Sequence, residues 1–225
     1  MIDIGAFAEE SARFTISTIR KHPIRIIILI GMMVIFPLIM GYSARIYRGG
    51  AEPPDLSDPL ELVTEGIKLT LVSFIYSAPV IAAVLILTWQ SEPLLGLISQ
   101  AEQGVIFSEV GAVFFLILGV VLLYGTVALL SMIGMIRVAR SKKIRDGFAL
   151  KEILSHIERI GGTGYLFSVL FYIVISLLVS LPAGYMMERS FIGYIPALFI
   201  YVLITLFAAR YFTLVFESGL CHAKI

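Results

Sequence analysis

The sequence predicts an all-α integral membrane protein with four to five transmembrane helices, additional in-plane amphipathic helices, and a first hydrophobic segment that either crosses the bilayer or re-enters it. Three observations carry this. Of 225 residues, 59% are hydrophobic and only 15% charged, and the mean hydropathy is +0.96. A soluble core of this size cannot hide so many apolar side chains, so lipid must solvate much of the surface. Uninterrupted apolar runs of bilayer-crossing length then recur along the chain. Between them lie shorter stretches with helical periodicity, the most informative being residues 137–162, which separate the two hydrophobic halves. One membrane domain over residues 1–225 accommodates all of this.

Residues 4–19 are too polar to span. Ile4, Phe7, Ala8, Phe14 and Ile19 form an apolar stripe against Glu9, Glu10, Arg13 and Arg20, which suits an interfacial helix. His22 and Pro23 break it, and residues 24–42 form a short hydrophobic segment near the ~17-residue lower limit for a span, interrupted by Gly31 and Pro37. A signal peptide is not expected here, because the preceding region is long and acidic as well as basic.

A polar, turn-rich connection follows over residues 43–58. Asp58 makes a good N-cap, with Pro59 at the first helical position and Glu61 completing the cap. The helix it opens, residues 58–89, carries Leu60, Val63 and Ile67 on one face and Glu61 and Glu65 towards the other. It leads into a span closed by Trp89. Residues 90–109 hold acids and no Lys or Arg, and residues 110–136 are a second full span.

The basic run Arg137, Arg140, Lys142, Lys143 and Arg145 comes next, followed by an amphipathic helix over residues 147–160. Leu150, Ile153, Leu154, Ile157 and Ile160 recur at helical spacing, while Lys151, Glu152, Ser155, His156, Glu158 and Arg159 occupy the other side. Gly161 and Gly162 stop the helix. Spans at residues 163–182 and 195–216 complete the chain.

Charge sets the topology. If residues 24–42 cross, the N-terminal cations and the 137–145 run fall on opposite sides, against the excess of Lys and Arg found in cytoplasmic loops. A re-entrant hairpin removes the conflict and leaves four spans: of 17 Lys and Arg, only Arg189 then lies outside. A re-entrant backbone needs protein around it. On this reading the protein is a multi-pass protein of the cell membrane with a cytoplasmic C-terminus.

No catalytic constellation rises above background: there is no H-E-x-x-H, nucleophile elbow or P-loop. His22, His156 and His222 read as interfacial residues rather than metal ligands, no cofactor or metal is expected, and Cys221 reads as a small hydrophobe. Arg210 and Glu217, seven apart on one helix face, are the candidate polar intramembrane pair. Arg210 either snorkels to the interface, the simpler expectation, or pairs inside the bundle. Arg137, Arg140, Lys142, Lys143 and Arg145 are the candidate contacts to anionic lipid on the cytoplasmic side.

Gly41-Tyr42 followed by Arg45 and Arg48, the loop EPPDLSDP, then LELVTEGIK with Gly66 and Lys68, an apolar run with Tyr76 and Pro79, and the later RDGFALKEILSHI resemble a mainly archaeal family of polytopic membrane proteins known as domain of unknown function 4013. The resemblance implies a membrane location and supplies no activity and no site residues. The expected function is therefore a non-enzymatic bundle that organises the membrane or binds a partner. The alternatives are a small-solute transporter or channel component, oligomeric because so few helices form a narrow bundle, and last a lipid-modifying enzyme. The bilayer with its anionic headgroups is the expected partner and a homo-oligomer is an open one; nothing supports nucleic acid.

Overall fold

The computed structural model describes residues 3–21, 23–100 and 106–221, with side chains except over 90–113 and at 221. The described residues form helices joined by short turns: α1 (Ile4–Lys21), α2 (Pro23–Val34), α3 (Phe36–Tyr47), α4 (Pro59–Gln100), α5 (Ile106–Ser141), α6 (Leu150–Ile160), α7 (Gly162–Arg189) and α8 (Tyr194–Cys221). Short 3-10 turns precede α6 and α8. Four stretches are long and apolar enough to cross a membrane: Pro59–Trp89, Phe114–Ser141, Gly162–Arg189 and Phe191–Leu220. At 1.5 Å per residue, a 28-residue helix such as α7 is about 42 Å long, more than the ~30 Å of hydrocarbon it must traverse. The 12 residues of α2 reach only about 18 Å. Among the described residues, four stretches thus have the length and apolarity to cross, and α2 by itself does not.

The first hydrophobic segment is two helices. Ile35 leaves helical geometry (φ −105°, ψ 86°) and Pro37 sits in the first turn of α3, where its missing N–H costs nothing. The two helices fold back on each other, since Arg25, near the start of α2, lies beside the Tyr42 hydroxyl towards the end of α3. The tip of this hairpin is apolar and open: Val34, Ile35 and Phe36 are each more than half exposed.

Two compact units divide the chain, one of residues 73–131 and one comprising the rest. The first holds the later part of α4 and the earlier part of α5, whose large side chains, among them Leu85, Phe115 and Leu122, are exposed as lipid-facing residues must be. The other unit is built around α8. Val202, Leu206, Tyr211, Phe212 and Val215 are fully or almost fully buried there, because α1, α2, α3, α6 and α7 all pack on this helix. As far as Ala209 α8 is apolar on every side, and beyond it Arg210 and Glu217 interrupt the apolar surface.

The sequence explains how its neighbours approach. Asp3 accepts the Ala6 N–H (2.9 Å) and so caps α1. The buried face of α1 is Ser11, Phe14, Thr15 and Thr18. Its hydroxyls return to carbonyls of their own helix, Ser11 to Phe7 (2.7 Å), Thr15 to Ser11 (2.9 Å) and Thr18 to Phe14 (2.9 Å), so small polar residues pack without a desolvation penalty. Between α1, α7 and α8 an apolar groove of about 230 Å3 is lined by Ala12, Ile16, Ile175, Val179, Ile204 and Phe207, among others. α3 meets the start of α4 through Gly41 and Gly66: a methyl group on either would collide with backbone, the Leu62 carbonyl and the Pro37 carbonyl respectively.

The faces of α4 and α6 are not distributed as a soluble amphipathic helix would have them. In α4, Leu60 and Ile67 are exposed, whereas Leu62, Glu65, Leu69 and Val72 are buried. In α6, Leu150 and Leu154 are each half exposed, while Ile153, His156 and Ile160 are buried. Where lipid is the solvent, an apolar side is free to face outwards, and an acid is admitted inside if a cation meets it.

Candidate functional site

The charged residues gather where α3, the start of α4, the end of α5, α6, α8 and α1 meet. Arg45 holds the loop before α4, donating to the carbonyls of Asp55 (2.7 Å) and Asp58 (3.2 Å). Asp58 has left-handed backbone (φ 55°), and its carbonyl accepts the Leu62 N–H of the first turn of α4 (3.1 Å). Glu61, expected to close that cap, is instead engaged by Lys142 Nζ (2.9 Å) and lies 3.9 Å from Arg45.

One turn further, Glu65 points inwards and pairs with Arg48, whose Nε also donates to the Ala139 carbonyl (3.1 Å). Lys142 Nζ lies 3.7 Å from the same Glu65 oxygen. Lys142 ends α5 in left-handed geometry (φ 62°), and its carbonyl receives Lys68 Nζ at 3.4 Å. The second Glu65 oxygen, Oε2, is buried without a hydrogen-bond partner.

On the far side of α5, Arg140 donates to Glu217 (2.6 Å) and to the Tyr47 carbonyl (2.9 Å), and lies over the Phe216 ring at 4.8 Å. Gly49 (φ +92°) lets the chain pass Glu217; a Cβ there would come within 2.7 Å of its carboxylate. The Phe216 ring also carries His156, stacked at 4.0 Å, whose Nε2 donates to the Phe216 carbonyl at 3.0 Å. Burial holds the His156 pKa below its ordinary value, and Arg137, Arg159 and Arg140 add to the effect, so the ring is neutral at pH 7 with its proton on Nε2. The helix pattern alone put His156 among the solvated residues of α6; the structure buries it, because α8 offers that ring both an aromatic face and a carbonyl.

Arg210 and Glu217 are not bonded to each other. Arg210 pairs with Glu10 of α1, donates to the Gly50 carbonyl (2.6 Å) and lies above Phe14. It is 6% exposed, held between α1, α8 and the loop before α4. Glu217 takes Arg140. Of the five candidate lipid contacts, Arg137 pairs with Glu152 and donates to the Asp146 carbonyl (3.2 Å), while Arg140 and Lys142 are engaged as above. Lys143 and Arg145 are exposed and have no carboxylate partner among the described residues. Sequence spacing could not have found these partners, since pairs such as Arg48 with Glu65 and Arg210 with Glu10 join positions 17 and 200 residues apart.

The arrangement is chemically a clamp. Guanidinium groups bond carboxylates and helix-end carbonyls together, which is the geometry that suits arginine over lysine. Among the described residues no group of three His, Cys, Asp or Glu could hold a metal ion. His22 and His222 lie outside the described residues, as do the side chains of Cys221 and of the acids Glu92, Glu102 and Glu109. The serines near the spans serve their own helices: Ser77 donates to Ser73 (2.8 Å) and Ser180 to Leu177 (3.3 Å).

Residues 24–188 match the family model described as Protein of unknown function (DUF4013). No curated protein and no solved structure matches the chain.

Proposed function

The chain belongs to the DUF4013 family of proteins of unknown function, and from that premise we propose that it is a non-enzymatic membrane-organising bundle that rests on anionic headgroups at the cytoplasmic face of the cell membrane. One observation carries the reading: in the 137–145 run, Arg137, Arg140 and Lys142 are consumed by Glu152, Glu217, Glu61 and Glu65, whereas Lys143 and Arg145 are exposed with no carboxylate among the described residues. They stand just past the end of the span Phe114–Ser141, which on this reading puts them among the headgroups. Cations in that position gain about 1 kcal/mol each near an anionic leaflet.

Two further features support the reading. Leu150 and Leu154 of α6 are half exposed in the segment that follows these cations, as in a helix lying in the interface. The apolar tip of the α2–α3 hairpin suits a segment that dips into the bilayer and returns. The excess of cations at this end favours the cytoplasmic side for it and for the C-terminus.

The test is the lipid retained by purified protein in mixed micelles of phosphatidylglycerol and phosphatidylcholine, counted by native mass spectrometry. Lys143→Ala with Arg145→Ala is expected to lower the anionic preference by about 2 kcal/mol at low salt, and by less as salt screens the contact. An unchanged preference removes the proposal.

A further inference from the structure

Behind the exposed cations, α3, α4 and α5 enclose a small polar pocket lined by Ala44, Arg48, Glu65, Lys68, Val138 and Lys142, with Leu69 and Ala139. Its lining holds three cations and one carboxylate, and Glu61 beside it takes Lys142 at 2.9 Å, which leaves one cation in excess. Glu65 is nine-tenths buried, one of its oxygens is occupied by Arg48 and Lys142, and Oε2 has no donor. A buried carboxylate oxygen left unpaired is costly, so the site is built for something that brings a hydrogen. Lys68 has the complementary deficit: among the described residues its ammonium meets the Lys142 carbonyl, at 3.4 Å, and no carboxylate.

We propose that this pocket is a headgroup site for a phospholipid carrying hydrogen-bond donors beyond its phosphate, with the phosphate on Lys68 and Lys142 at the mouth and an ammonium or hydroxyl hydrogen on Glu65 Oε2 inside. Size limits what enters. The enclosed volume is about 10 Å3, on the order of one water-sized group, so the donor fits and the phosphate stays outside. Location favours a lipid source: Lys68 lies in the span Pro59–Trp89 and Lys142 immediately follows the span ending at Ser141, so on the headgroup reading both stand beside lipid phosphates. The site rests on the reading that this end of the bundle meets headgroups, but not on Lys143 or Arg145.

Phosphatidylethanolamine and phosphatidylcholine separate the two ideas, because both are zwitterionic but only the first has N–H donors. Thermal stabilisation of the purified protein by short-chain forms of each gives their apparent affinities. Phosphatidylethanolamine is expected to bind at least fivefold tighter than phosphatidylcholine. Lys68→Gln, which breaks no ion pair among the described residues, is expected to weaken both while leaving the lipid-free melting temperature unchanged. Glu65→Gln is expected to abolish the difference between them.

Equal affinity of the wild type for the two lipids overturns the proposal and leaves the pocket to water. Lys68→Gln binding like the wild type overturns it as well. Stabilisation by free phosphoethanolamine matching that by the lipid overturns the lipid assignment. A charge-only attraction by Lys143 and Arg145 predicts no difference between two zwitterionic lipids, so its failure and the failure of this site are read separately.

Discussion

Arg140 and Glu217, 77 positions apart, meet at 2.6 Å and join the end of α5 to the end of α8. The guanidinium also donates to the Tyr47 carbonyl and covers Phe216, so a single side chain ties α3, α5 and α8. The pair is partly solvated, with side chains 24% and 37% exposed, which keeps its own contribution small. Arg140→Ala removes the ion pair, a carbonyl hydrogen bond and a cation–π contact, and is expected to cost about 2 kcal/mol. Glu217→Gln keeps an acceptor for Arg140 and is expected to cost less than half as much. Thermal unfolding in detergent, followed by the helical circular dichroism signal, compares the two. Equal losses would show that the carboxylate charge carries the effect and the remaining Arg140 contacts do not.

The approach of α3 to α4 is set by backbone. A Cβ on Gly66 meets the Pro37 carbonyl, and one on Gly41 the Leu62 carbonyl, and neither obstacle can rotate away. Gly66→Ala is therefore expected to destabilise by about 3 kcal/mol, the upper range for overpacking. Gly31, where an added methyl would have nothing within 4 Å, supplies the control: Gly31→Ala is expected to stay within about 0.5 kcal/mol or to stabilise slightly. Melting curves of the two variants side by side decide this, and similar values would mean that the contact yields.

Spans, their number once α2 is seen to be short, and the stop at Gly161 (φ +96°) were legible from hydropathy, length and glycine alone. The inward faces were not. Leu60, Val63 and Ile67 make the conspicuous apolar side of α4, yet Leu60 and Ile67 face outwards and Glu65 faces in. Period reveals that a helix has two sides; which one is buried depends on whether water or lipid lies outside. Arg210 shows the other limit. Its partner, Glu10, lies on a helix 200 positions earlier, and only the packing of α1 on α8 brings the two together.

His156 makes stability depend on pH. Its pKa in the folded protein lies below the ordinary 6.5, chiefly because the ring is buried, so the unfolded chain binds the proton more readily. The stabilisation from the neutral ring is complete above about pH 6.5 and is lost as pH falls from there towards the lowered value. His156→Phe keeps the stack on Phe216 and has no proton to gain. The wild type is expected to lose more melting temperature than His156→Phe between about pH 8 and pH 5.5, while at the alkaline end the variant loses about 1 kcal/mol for the bond to the Phe216 carbonyl. Parallel pH profiles would assign the acid loss to other groups.

The α2–α3 hairpin makes a prediction about sides. Arg25 returns to Tyr42, and Arg210 bonds both Glu10 of α1 and the Gly50 carbonyl, so α1 and the loop before α4 belong at the same end of the bundle. Ala6, Ser57 and Ser190 are all exposed, and Ser190 follows α7, three spans beyond Ser57. In a chain with Cys221→Ser, Ala6→Cys and Ser57→Cys are expected to react with a membrane-impermeant maleimide from one side of sealed vesicles, and Ser190→Cys from the other. A helix crossing at residues 24–42 would put Ala6 and Ser57 on different sides while leaving Ser57 and Ser190 as they are. Labelling of Ala6→Cys and Ser57→Cys from opposite sides would therefore refute the hairpin without disturbing the four spans that follow it.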